Sequence, residues 1–390
     1  MRALVLGAGM MGSVIARDLA ESQEISEVVV ADVNPDRLQS CLKADRTGKV
    51  SVRVTDAGDR GSLVAAMRGV AVVASALLHE FSLGVLEAAI DAGVHVVDLV
   101  GSKPREKLAL DARAKAAGCT LIPGLGVAPG LSNVLVGRGF RRLDDVETAV
   151  IKVGGLPQQP HPPLEYRVVY ALESCLNQYV RPALIVRDGQ AVEVEPMTDL
   201  ELDDFPPPVG RCECFVTDGL ATLPLTLARP DLRYMAEKTV RYPGHAERIR
   251  TLIECGFFDT TPTEVGGCQV SPRAVLEAVL RPRLQAGDER DVTVLRVEVS
   301  GRKGGKRMLY RFDMVDLYDE ATRTTSMART TAYPCTSACR MLIRGEITER
   351  GVLPPELLFD DRLYAVLTRD LAERGVKMQE YEILLSNQTG

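Results

Sequence analysis

Between residues 2 and 123 the chain alternates short apolar runs with stretches whose apolar positions recur every three or four residues. The runs at 2–6, 27–32, 50–54, 70–75, 94–99 and 120–123 have strand length and favour β-branched residues. Those at 13–21, 63–67, 81–90 and 108–117 read as helices with one buried face. Strand alternating with helix predicts right-handed βαβ crossovers and a parallel sheet covered on both sides. Six such strands complete a doubly wound α/β domain.

Past residue 144 the period changes. Residues 146–153 alternate like a strand, and residues 183–194 read as a hairpin turning at Asp188-Gly189. Two long alternating runs, 291–299 and 307–318, are joined by a glycine-containing turn at 302–305. A second α+β domain with a mixed or antiparallel sheet is expected, its helices at 245–255, 271–284 and 325–344 covering one face. Residues 362–374 read as a helix, and 377–385 as an extended segment returning to the first domain. The resulting division is 1–130, 131–350 and a C-terminal 351–390.

The turn after the first strand, Gly7-Ala-Gly-Met-Met-Gly12, carries the first sign of chemistry. Gly7 permits a sharp exit from the strand, Gly9 lets a pyrophosphate approach the backbone, and Gly12 lets the helix pack on the sheet. Met10 and Met11 lie at the helix N-terminus, where unpaired N–H groups attract phosphate. Asp32 ends the second strand at the distance from the turn that suits a ribose acid of a Rossmann dinucleotide site. A carboxylate there favours NAD over NADP, a preference that Arg37 nearby softens. Ligands of such sheets lie beyond the carboxyl ends of the strands. Asp56 is therefore placed on the adenine side, Ala76 and Leu77 near the nicotinamide, and Asp98 at the end of the fifth strand. Asp56 and Asp98 read equally well as turn carboxylates. The apolar, glycine-rich linker 124–133 is expected to bring backbone, at Gly126, close to the cofactor, with Ser132 or Asn133 starting the next helix.

Composition narrows the ligand. The net charge is −6, aromatics make up 5% and tryptophan is absent, so neither a basic surface nor stacking platforms for nucleic acid are expected. No apolar run approaches the length of a membrane span, and a cytoplasmic location is expected. Nine cysteines without CxxC pairs read as reduced thiols, with no metal site. A small-molecule substrate is the expectation.

Four stretches carry a resemblance: GAGMMG, the linker Pro123-Gly-Leu-Gly-Val-Ala-Pro-Gly-Leu-Ser-Asn133, Phe215-Val-Thr-Asp-Gly-Leu-Ala-Thr-Leu223, and Lys238-Thr-Val-Arg-Tyr-Pro-Gly-His245. Together they resemble the saccharopine dehydrogenase-like family, and within it the L-lysine 6-dehydrogenases. The resemblance implies a homodimer and NAD-dependent oxidation at a carbon bearing an amine, with L-lysine ε-deamination first. Saccharopine reductase-like and carboxyspermidine-type chemistry are the alternatives on this scaffold, and a non-catalytic NAD-binding regulator is the alternative of another class. One departure is Gln178, where an acid is expected before Tyr179. Oxidation beside an amine needs a free lone pair, hence a proton acceptor. His245 and Asp98 are the catalytic candidates, His245 because its reference pKa lies in the useful range. Arg241 is the candidate carboxylate clamp, with Asn133, Thr217 and Asp218 completing the polar set. His245 also reads as a helix-capping residue, and Arg241 as half of a surface ion pair.

Overall fold

The computed structural model describes residues 1–169, 172–284 and 290–386. Strands β1 (Arg2–Leu6), β2 (Glu27–Asp32), β3 (Val50–Val54), β4 (Val72–Ser75), β5 (His95–Asp98) and β6 (Thr120–Ile122) form a parallel sheet. Alternation along β1 and β2 splits the core. Ala3, Val5, Val28 and Val30 face one apolar cluster, while Leu4, Leu6, Val29 and Ala31 face another with Leu63, Met67 and Val85.

The second sheet is built from β7 (Asp145–Pro157), β8 (Ala183–Arg187), β9 (Gln190–Val194), β10 (Glu201–Phe205), β11 (Gly210–Thr217) and β12 (Tyr234–Arg241). A separate small hairpin follows, β13 (Thr263–Val265) and β14 (Cys268–Val270), and then the long ribbon β15 (Asp291–Lys303) and β16 (Lys306–Leu317). Near the C-terminus lie β17 (Gly351–Val352) and β18 (Gln379–Leu384). The main path of the second sheet runs β10-β11-β12-β7-β15-β16-β18. Only β12 and β7 pair in parallel along it, so the sheet is mixed, as the hairpin signals predict. Helices Leu172–Asn177, His245–Glu254 and Pro272–Leu284 build their own apolar cluster on it.

Three expectations need correction. The first sheet has a seventh strand, β17, which pairs with β6 and is two residues long, too short for any period to reveal. The extended C-terminal segment joins the second sheet: β18 pairs antiparallel with β16, Met308 opposite Leu384. Helix Ser326–Ile343 does not simply cover that second sheet. It is buried nearly all round, packing against helix Met10–Ala20 and against β4 and β5 while reaching β15. Arg340 of this helix meets Asp18 at 2.7 Å, and the Asp291 carboxylate accepts from the N–H groups of Ser326 and Met327. The helix thus ties the two sheets together. Among the described residues no helix is long and apolar enough to cross a membrane.

Candidate active site

The glycine turn opens a groove of about 480 Å³ beyond the ends of the first sheet's strands. Gly7 has φ +96°, and a Cβ on it would lie 2.7 Å from the Ala76 carbonyl oxygen. A Cβ on Gly12 would lie 1.7 Å from the Gly7 carbonyl oxygen, so Gly12 serves close packing and does not line the groove. Gly9 is different: nothing stands within 4 Å of where its Cβ would be. The helix beginning at Met10 has no side-chain cap, which leaves its N-terminal N–H groups for an anion. An open glycine over an uncapped helix start fits a pyrophosphate.

The other walls agree. The Asp32 carboxylate accepts from Ala8 N–H at 2.7 Å and from Asn34 N–H at 2.8 Å, and stays on the groove wall with Arg37. Met10, Met11, Ala76 and Leu77 line it, and so does Asp56, whose carboxylate also accepts from Gly58 N–H.

Met11 is also part of a second cavity, of about 410 Å³, that lies between the two sheets. Gly126, Gln178, Thr217 and Asp218 line this cleft, as do Glu237, Thr239 and Arg241 of β12. Residues 237, 239 and 241 share one face of a strand, so β12 presents an acid, a hydroxyl and a guanidinium to one space. Arg241 is 1% exposed, stacks 4.4 Å above the Tyr166 ring, and donates from Nε to Tyr179 Oη at 3.2 Å.

His245 requires correction. It is buried, does not line the cleft, and lies behind Tyr179. The Leu164 carbonyl, 2.7 Å from Nδ1, is an acceptor only, so Nδ1 carries the proton and Nε2 accepts from Tyr179 O–H at 2.9 Å. Burial, reinforced by the Arg241 charge, pushes the imidazole down to about 3. It is a neutral orienting group, and helix N-terminal position does not report that it points inward.

Asp98 and Asn133 are also not placed at the cleft. Asp98 is fully buried, accepting from Ser82 Oγ and from Lys107 Nζ at 3.0 Å. Asn133 is locked under the linker, its Oδ1 accepting from Gly130 N–H and its Nδ2 donating to Leu220 O and Glu356 Oε2. The helix begins at Leu131, before Ser132 and Asn133.

Glu237 is the site group that hydrophobic periodicity does not find. Thr217 Oγ1 donates to its Oε2 at 2.9 Å, and burial pushes its carboxyl up to about 8. The available signal was the spacing of Glu237, Thr239 and Arg241, hidden because a strand facing a polar cleft lacks apolar alternation.

Residues 3–122 match the saccharopine dehydrogenase NADP binding domain and residues 126–376 the saccharopine dehydrogenase C-terminal domain. The chain is 23% identical to saccharopine dehydrogenase (NADP(+), L-glutamate-forming) of Schizosaccharomyces pombe, over 97% of this chain and 98% of that protein. It is 20% identical to carboxyaminopropylagmatine dehydrogenase of a Synechocystis strain, over 97% of each. The structure of apo saccharopine dehydrogenase (L-Glu forming) from Saccharomyces cerevisiae superposes with a TM-score of 0.81 at 20% identity, covering 98% of this chain and 99% of that one. That likeness concerns the fold.

Proposed function

The chain belongs to the saccharopine dehydrogenase family, and from that premise we propose that it oxidises a C–N bond of a small amino acid with NAD as the preferred acceptor. The observation that carries this reading is the junction at Met11, where the dinucleotide groove opens on a cleft holding both a guanidinium and carboxyl groups. Gly7, Gly9, Met10, Met11, Asp32 and Ala76 would hold the nucleotide, which when bound supplies a two-electron acceptor. Arg241, braced by Tyr179 and His245, holds the substrate carboxylate.

Oxidative deamination at the ε-carbon of L-lysine is the first substrate reading. A second, oxidation of a secondary amine with two carboxylates, is favoured by Arg181, which lines the same cleft as Arg241. Lysine offers two guanidinium groups only one carboxylate. The name of the Schizosaccharomyces pombe relative, a saccharopine dehydrogenase, points in the same direction, while carboxyaminopropylagmatine, with one carboxyl group, supports the secondary amine alone. Asp32 supports NAD, while Arg37 on the same wall would suit a 2′-phosphate. We extend the proposal to a homodimer, tested by mass in solution.

The experiment is a spectrophotometric panel: NAD or NADP with L-lysine, saccharopine and other amino acids, following nucleotide reduction and ammonia release. Reduction with lysine and stoichiometric ammonia supports the first reading, and reduction with saccharopine alone supports the second. Nucleotide binding without reduction of any kind replaces both with a non-catalytic regulator.

A further inference from the structure

We propose that Glu237 is the catalytic residue that takes the proton from the substrate's ammonium group. The proposal rests on the amine-oxidoreductase reading above and adds the acceptor that His245 and Asp98 do not supply.

Position comes first. Glu237 and Arg241 lie four residues apart on the cleft face of β12, about 13 Å of strand at 3.3 Å per residue. One strand thus offers a carboxyl to an amine and a guanidinium to a carboxylate, at a spacing suited to a substrate that carries the two on different carbons.

The carboxyl is held, yet not used up. Thr217 Oγ1 donates to Oε2 at 2.9 Å, and that hydroxyl lies 2.7 Å from Thr239 Oγ1, which supplies it with a donor in turn. Among the described residues Oε1 has no hydrogen-bond donor and Glu237 forms no ion pair. Space is kept for the group by Gly219, where a Cβ would come within 2.2 Å of Oε2. A buried acid whose second oxygen has no donor, on the wall of a cleft, is a costly feature for a fold to keep without a cationic ligand.

Charge then completes the picture. Burial, helped by the Asp218 carboxylate and opposed by the Thr217 hydrogen bond and the Arg241 charge, pushes the carboxyl up to about 8, which makes it mostly neutral at pH 7 when no cation faces it. An arriving ammonium draws it back to the charged form, and a proton is released to solvent. In the catalytic step an N–H bond of the ammonium breaks and an O–H bond forms at Oε1. The electron pair stays on nitrogen as the lone pair that oxidation requires, and no electron leaves the substrate in this step.

The test compares wild type, E237Q and E237D. Binding of L-lysine and of saccharopine is measured by calorimetry in the presence of NADH, which accepts no hydride, using buffers of different ionisation enthalpy at pH 7. Wild type is expected to release about one proton per amine bound and E237Q none, with E237D close to wild type. Oxidation of whichever amine is turned over should fall at least about a hundredfold in E237Q. Its kcat/KM should lose a rising limb near pH 8, and NADH affinity should be unchanged. Equal proton release by wild type and E237Q overturns the assignment, as does a wild-type rate in E237Q or an amine that binds neither protein. If wild type binds NADH and amine yet oxidises nothing, the functional reading fails by itself, and the proton count still decides the role of Glu237.

Discussion

The hydroxyl of Tyr179 lies 2.9 Å from Nε2 of His245 and receives the Nε–H of Arg241 on its oxygen, so an imidazole that never meets the cleft orients a guanidinium that does. The chain of donors runs Arg241 to Tyr179 to His245 to the Leu164 carbonyl, each group with one role left open to it. H245F should therefore disturb substrate placement more than chemistry, raising KM about tenfold with a smaller change in kcat. Steady-state kinetics on both parameters checks this, and a kcat loss with KM intact would return His245 to proton transfer.

The same histidine predicts an acid limb of stability. Its folded value, about 3, lies below the 6.5 of an exposed imidazole. The unfolded chain therefore binds the extra proton first as pH falls. Stability is full above about pH 6.5 and declines toward pH 3, with a slope of up to roughly 1.4 kcal/mol per pH unit from this residue. Urea melts of wild type and H245F between pH 4 and 7 should show a shallower decline in the variant.

Gly9 and Gly12 separate binding from folding. G12A places a methyl against the Gly7 carbonyl and should lower both thermal stability and nucleotide affinity. G9A meets nothing within the protein, so its melting temperature should hold while nucleotide affinity falls about tenfold or more. Fluorescence titration with NADH beside a thermal melt distinguishes the two. A G9A protein that binds normally would place the pyrophosphate elsewhere.

Asp98 and Lys107 form a buried ion pair at 3.0 Å, both essentially without exposure. Breaking one side leaves an uncompensated charge, so K107M should cost roughly 3–5 kcal/mol in denaturant melts. D98N should lose stability as well, but whatever fraction folds should turn over substrate at the wild-type kcat. A folded, inactive D98N would restore Asp98 to the catalytic machinery.

What was legible in the sequence follows from which forces leave a periodic trace. The first sheet is read almost strand by strand, because strands buried on both faces are continuous apolar runs, and its glycine turn follows from backbone sterics. The ribbon β15–β16 and the hairpin turning at Asp188 are legible for a different reason, the alternation of apolar and polar positions on either side of a glycine-containing turn. β12 is not, since Glu237, Lys238 and Arg241 are all buried and its cleft face is polar. The inward turn of His245 depends on Tyr179 and Leu164, far away in the chain, and no local pattern encodes such partners. β17 is too short to carry a period, and β18 takes its partner from the second sheet by a register that only the folded ribbon defines.

Glu237 gives the last prediction, with the opposite dependence on pH from His245. Its folded value, about 8, stands above the usual 4.5, so the folded state keeps a proton that the unfolded chain has already lost. Below about pH 4.5 both states are protonated and the carboxyl costs nothing beyond its burial. Between about 4.5 and 8 the unfolded state gains by ionising, and this residue draws stability down by up to roughly 1.4 kcal/mol per pH unit. Gln keeps the Thr217 hydrogen bond without a titratable proton, so E237Q should match wild type near pH 4.5 and exceed it increasingly toward pH 8. Parallel urea melts across that window test this, and curves that stay a constant distance apart would mean that Glu237 is ionised in the folded cleft throughout.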